Sequence, residues 1–182
     1  MNPPPPSAPA AASVATTRLA GKYLTFLLKT ESYAVDVRKV REIVRMPGIT
    51  WVPQMPEFVR GVINLRGKIV PVLDLRLRFG LPDPGLDEHT CVVVVQLRLG
   101  SERAAFRETG LIVDAVEEVT QLAAEDIEAT PDFGPGVDTG YILGISRSKG
   151  IVRLLLDIDL ILAPEDALTL RESGSSNPTP AS

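Results

Sequence analysis

GVINLRGKIVPVLDLRLRFG (61–80) reads as two apolar strands broken by a basic turn at Arg66, Gly67 and Lys68 and closed by a helical turn led by Asp74. The same plan recurs in GISRSKGIVRLLLDIDLIL (144–162), where Asp157 leads the closing turn. A second echo lies just upstream of each. YAVDVRKVREIV (33–44) and GLIVDAVEEVTQL (110–122) are both apolar strands containing Val-Asp, followed by a Val, a Glu and a β-branched residue. Two matched pairs in the same order favour duplication, with halves at 23–80 and 91–163. A half of about 60 to 75 residues buries too little of its surface to be stable alone, so the two must share a core. The expectation is a mostly β protein of two small, largely antiparallel barrels of about five strands each, packed together with a groove where they meet.

Outward from that segment the prevailing apolar period is two. Leu24, Phe26 and Leu28 share one face and Tyr33, Val35 and Val37 another, joined by the polar connection Lys29 to Ser32, so residues 23–38 read as a hairpin. Further strands are expected at Lys68–Leu73, Cys91–Leu97, Leu111–Val116, Tyr141–Ile145 and Ile151–Leu156. Pro71 cannot donate a ladder bond, which demands a bulge or an edge there. Helical signals are short. Pro56 suits a first helical position ahead of Phe58, Val59 and Val62; Asp74 and Asp157 suit caps of single turns ended by Gly80 and Pro164.

All charged residues of the 182-residue chain lie between Arg18 and Glu172, and its formal charge is −4. The flanks therefore read as a disordered Pro/Ala arm at 1–20 and a disordered Ser/Pro tail at 172–182, around a folded domain at 21–171. The arm lacks the basic start of a signal peptide, and no apolar run approaches a membrane span. A cytoplasmic protein without direct membrane insertion is expected.

The chemistry of catalysis is missing. Neither a phosphate-binding Gly-rich loop nor a GxSxG elbow is present. Single His89 and Cys91 cannot make a zinc site between them, and Cys91 opens an apolar strand, the setting of a buried thiol. The acidic clusters around Glu117 and Glu125 sit beside polar turns and read as solvated surface. No catalytic residue, metal ligand or cofactor is assigned. Five basic residues between Arg60 and Arg78 face one acid, Asp74, giving +4 locally. Such a patch suits an acidic protein better than nucleic acid, because the only aromatic in it is Phe79, expected to pack inward. In the turn, Arg66 is either an ordinary hairpin residue or a guanidinium fork held out for a carboxylate.

PEFVRGVINLRGKIVPVLDLRLRFG (56–80) resembles the signature of the CheW-type chemotaxis coupling proteins. YLTFLLKTESYAVDVRKVREIV (23–44), LIVDAVEEV (111–119), LAAEDIEATPDF (122–133) and YILGISRSKGIVRLLLDIDLIL (141–162) are similar to the rest of that family, in order. The resemblance implies two intertwined five-stranded SH3-like barrels and a non-catalytic adaptor. Its partners would be the cytoplasmic tip of a methyl-accepting chemoreceptor and the regulatory domain of a CheA-type histidine kinase, in arrays at the membrane. A related scaffold in a separate motility or pilus pathway is the alternative, and a barrel binding nucleic acid through the 60–78 patch a more distant one. By position, receptor binding falls to Val40, Glu42, Gly61, Arg66, Cys91, Val116 and Val119, and kinase binding to Glu128, Asp132 and Phe133. Three departures stand out: RLGSERAAFRETG (98–110) is longer than the usual hairpin, Glu128 is acidic where some members are basic, and the Pro/Ala arm is not a family requirement.

Overall fold

A computed structural model describes residues 10–98 and 106–161, and among these eleven strands account for about half. In order they are β1 (Gly21–Leu28), β2 (Glu31–Asp36), β3 (Val40–Arg45), β4 (Val59–Leu65), β5 (Lys68–Asp74), β6 (Cys91–Arg98), β7 (Phe106–Val113), β8 (Ala115–Leu122), β9 (Ile127–Glu128), β10 (Ile142–Ser148) and β11 (Ile151–Leu156). Helices are α1 (Ala10–Leu19), α2 (Leu75–Arg78) and α3 (Ile158–Ile161).

The strands form two sheets, ordered β8-β1-β2-β11-β10-β9 and β3-β6-β7-β5-β4. Each closes on itself by the same device. In the second, the chain leaving β3 returns at Thr50 to pair with Val62 of β4; in the first, the chain leaving β8 returns as β9, where Glu128 pairs with Ile145 of β10. The passing strand needs room, and a glycine supplies it in both places. A Cβ on Gly61 would overlap the Thr50 carbonyl and lie 2.8 Å from its carbon, while one on Gly144 would lie 2.9 Å from the Glu128 carbonyl oxygen. Both glycines mark a register shift in their hairpin.

The duplication read from sequence holds to fine detail. Arg66 and Gly67 take positive φ (51° and 83°) in one hairpin turn, and Lys149 and Gly150 do so in the other (53° and 75°). The Asp74 amide donates to the Phe58 carbonyl, and the Asp157 amide to that of Tyr141. Asp74 caps α2 through the Arg76 amide, and Asp157 accepts from the Asp159 amide at the start of α3. The halves are nevertheless not the barrels. The second barrel is the continuous stretch 40–113, and the first is built from what flanks it, with β2 running parallel to β11. Repeat and barrel are out of phase because each half lends strands to both.

Three cores follow. Leu24, Phe26, Leu28 and Val35 of the first barrel meet Val93, Val95, Leu97 and Val113 of the second in one shared cluster. Ile63, Val70, Val72, Val92, Val94 and Ile112 fill the second barrel; Tyr23, Ala34, Leu122, Ile127 and Leu155 fill the first. The apolar run from Cys91 to Val95 is thereby explained: one face of β6 enters the shared core and the other its own barrel. Phe79 packs inward between Tyr33 and Tyr141, with ring centroids 5.8 and 5.4 Å away.

Several expectations need correction. The helix expected from Pro56 is absent: a single turn closed by the Val59 amide on the Pro56 carbonyl leads into β4, where Val59, Gly61 and Ile63 alternate inward and period two prevails. The arm is not disordered throughout, because 10–19 is helical and Tyr23 donates its hydroxyl to the Leu19 carbonyl. The strand expected at 111–116 is two, broken at Asp114 where the chain passes between barrels. The stretch 33–44, read as one apolar strand, likewise divides between β2 and β3, and β9 was not foreseen. Around the long connection, β6 and β7 pair out to Arg98 and Phe106; residues 99–105, and the tail at 172–182, lie outside the described residues. Pro71 sits where β5 has β4 on one side and its ladder with β7 begins only at Val72, a local edge as required.

Candidate partner-binding surfaces

Val40, Cys91 and Val116 arrive from β3, β6 and β8 at the same shared core, where Val40 and Val116 are half-buried and Cys91 is 8% exposed. Burial pushes the Cys91 thiol up, against a smaller opposing effect of the Val116 amide. Cys91 is thus a packing residue that supports this surface from beneath. Val119, further along β8, is 53% exposed.

Glu42 and Arg66 join at the second barrel. Arg66 occupies a left-handed turn position, its side chain mostly in solvent, with the Gly67 amide pinned by the Asn64 side chain. Its guanidinium pairs with the Glu42 carboxylate, so the fork is engaged within the chain, tying the β4–β5 turn to the far edge strand. Gly61, expected in the groove, is buried under Thr50 and has no surface to offer. The Thr50 segment that covers it carries Trp51 alongside, which is 72% exposed. Sequence reasoning passed over Trp51; a lone Trp in the Pro-rich loop ITWVPQMP was the available signal.

The other set lies together on the connector after β8. Glu128 pairs with Arg147 at 3.7 Å, and Asp132 accepts the Gly134 amide at 2.8 Å, fixing the turn that carries Phe133. Phe133 is 54% exposed and Val137 equally so. The hollow of about 280 Å³ between Arg78, Phe79, Tyr141 and Leu160 contains none of these residues.

The basic stretch at 60–78 does not form a cationic face. Arg60 is bound to Asp74 and Asp83, Arg76 is wholly buried against Asp74 and Asp114, and Lys68 lies 3.6 Å from Glu108. Arg78 donates to the Ile161 carbonyl and covers the Phe58 ring at 5.1 Å. With those charges answered internally, the nucleic-acid alternative loses its footing. Among the described residues, no group of His, Cys, Asp and Glu is placed to hold a metal ion, and no helix is long and apolar enough to cross a membrane.

Comparison with known proteins adds the following. A family model described as the CheW-like domain matches residues 22–165. The chain is similar to the chemotaxis protein CheW of Klebsiella aerogenes, 37% identical over 155 residues, covering 82% of this chain and 89% of that one. It is 30% identical over 146 residues to the chemotaxis protein CheW of Treponema pallidum, covering 79% and 82%. The crystal structure of the scaffolding protein TtCheW from Thermoanaerobacter tengcongensis superposes with a TM-score of 0.70 at 34% identity, covering 81% of this chain and 95% of that one.

Proposed function

Since the chain belongs to the CheW-like domain family and is a chemotaxis coupling adaptor, we propose that it holds a chemoreceptor and a CheA-type histidine kinase on two separate faces of its paired barrels. The receptor face comprises Val40, Val116 and Val119 with the Glu42–Arg66 pair at its border, and takes the apolar side of a helix from the receptor's cytoplasmic tip. The kinase face is the connector bearing Glu128, Asp132 and Phe133, whose partner is the kinase regulatory domain. The adaptor works by holding these partners and makes no bonds of its own, in the cytoplasm beneath receptor arrays. The observation that supports this reading is one of packing: half-buried Val40 of β3 and Val116 of β8, distant in sequence, both border the shared core that Cys91 of β6 joins from beneath, while the second set follows closely in sequence on the connector.

Receptor and kinase affinities should therefore separate. Arg66→Glu sets two carboxylates side by side at the receptor border and should weaken binding of a soluble receptor cytoplasmic fragment by more than about tenfold. Kinase affinity should stay unchanged. Phe133→Ser removes an exposed ring from a pinned turn and should do the reverse, by about tenfold at the kinase regulatory domain. Calorimetric titration of each variant with each partner checks both; if either substitution weakened both partners equally, the division into faces would be wrong.

A further inference from the structure

A cross-strand pair in the two matched hairpins differs in a way that packing does not explain. Where the second barrel buries Ile63 and Val70 as cross-strand partners, the first buries Ser146 and Arg153. Arg153 is 2% exposed and Ser146 wholly buried, on the face of β10 and β11 that fills the barrel with Leu155. The Ser146 hydroxyl and the Arg153 Nε have no hydrogen-bond partner among the described residues. The Arg153 guanidinium instead reaches across the barrel to β8, with Nη2 3.6 Å from the Glu118 carboxylate. β8 is an edge strand, and Glu118 precedes Val119. Thr25 of β1 grips the same residue, its hydroxyl donating to the Glu118 carbonyl at 3.0 Å and accepting the Glu118 amide at 3.3 Å. The Ser32 hydroxyl, on the strand beside Arg153, donates to Glu117.

An ion pair with one member buried and incompletely bonded is a poor stabiliser, and apolar side chains of similar volume often replace such pairs with no loss or a gain. Here the chain's own second barrel carries the apolar solution at the matching positions. We infer that Arg153 is a positioning residue for the receptor face: from inside the first barrel it fixes Glu118, and with it the edge strand that presents Val116 and Val119. This rests on the assignment of that face to the receptor. The pair spends stability on placing a strand whose outer side has no neighbour of its own.

The test asks whether stability and binding part company. Arg153→Val, copying Val70, should leave the melting temperature of the full chain unchanged or higher. It should weaken a soluble chemoreceptor cytoplasmic fragment by about tenfold and leave affinity for the kinase regulatory domain unaltered. Glu118→Gln, at a half-exposed position that tolerates change, removes the same pair from the other end and should weaken the receptor similarly. The double variant should be no worse than either single one. Wild-type receptor affinity in Arg153→Val and Glu118→Gln would overturn the inference, as would a drop in melting temperature with both affinities falling together. Arg66→Glu serves as control. If it weakens the receptor while Arg153→Val does not, the positioning role alone fails; if it too leaves the receptor unaffected, the receptor face is misassigned and the role falls with it.

Discussion

Gly61→Ala should cost the protein more than about 4 kcal/mol and lower its melting temperature by on the order of 10 °C. Two effects combine. The residue sits at φ 138°, a backbone region that side chains avoid, and its new methyl would occupy the place of the Thr50 carbonyl. The bridge between Thr50 and Val62 that closes the second barrel must then open. Two other glycines calibrate the result. Gly144→Ala meets the Glu128 carbonyl at 2.9 Å without a positive φ, so it should cost less; Gly67→Ala has positive φ but open space and should cost about 1–2 kcal/mol. Thermal melts of the three variants check the order. A Gly61→Ala protein as stable as Gly67→Ala would show that the Thr50 segment can move aside without loss.

Arg76→Met comes next, with an expected loss of about 3–5 kcal/mol. Arg76 is fully buried, donating through Nε and Nη2 to Asp74 at 2.9 and 2.8 Å, and through Nη1 to Asp114 and the Gly85 carbonyl at 2.9 and 2.8 Å. Hydrogen bonding to Asp74 raises its pKa further above the usual arginine value, so it stays charged. One side chain thus fastens α2, the loop after it and the crossing point between barrels. Methionine fills the volume but leaves the Asp74 carboxylate, itself wholly buried, with Arg60 as its remaining cation. Adding Asp74→Asn should restore part of the loss, because an amide oxygen can still cap α2 while the buried charge is gone. Urea titrations of single and double variants measure this; a double variant less stable than Arg76→Met would contradict the charge argument.

What the sequence revealed and concealed follows the range of the forces involved. The Asp-led turns at Asp74 and Asp157 and the hairpins at Gly67 and Gly150 were legible because capping and turn geometry are decided within a few residues. The strand at Cys91–Leu97 was legible because two cores demand apolar side chains on both of its faces. The helical signal at Pro56 misled because Pro56 is equally at home in the turn that precedes a strand, here β4. The barrel boundaries were hidden for a different reason. The repeat records which segments are alike, while strand partnership is settled by contacts as distant as Ser32 with Arg153. The exposure of Phe133 was readable from the Pro/Gly setting that keeps it outside. The Glu42–Arg66 pairing and the burial of Gly61 depend on barrel closure, which leaves no local mark.

The nesting of 40–113 within the first barrel also dictates an order of events at the ribosome. As the polypeptide emerges, the β1–β2 hairpin comes first and must wait, since its neighbours β8 and β11 are synthesised last. The inner barrel has all its strands once residue 113 is out, and can form while the outer one is incomplete. Until β8 through β11 arrive, the β6 side chains destined for the shared cluster lack the cover of Val116, Leu156, Ile158 and Ile161. The nascent chain is most exposed to misassociation in the interval between residue 113 and the release of its last strand.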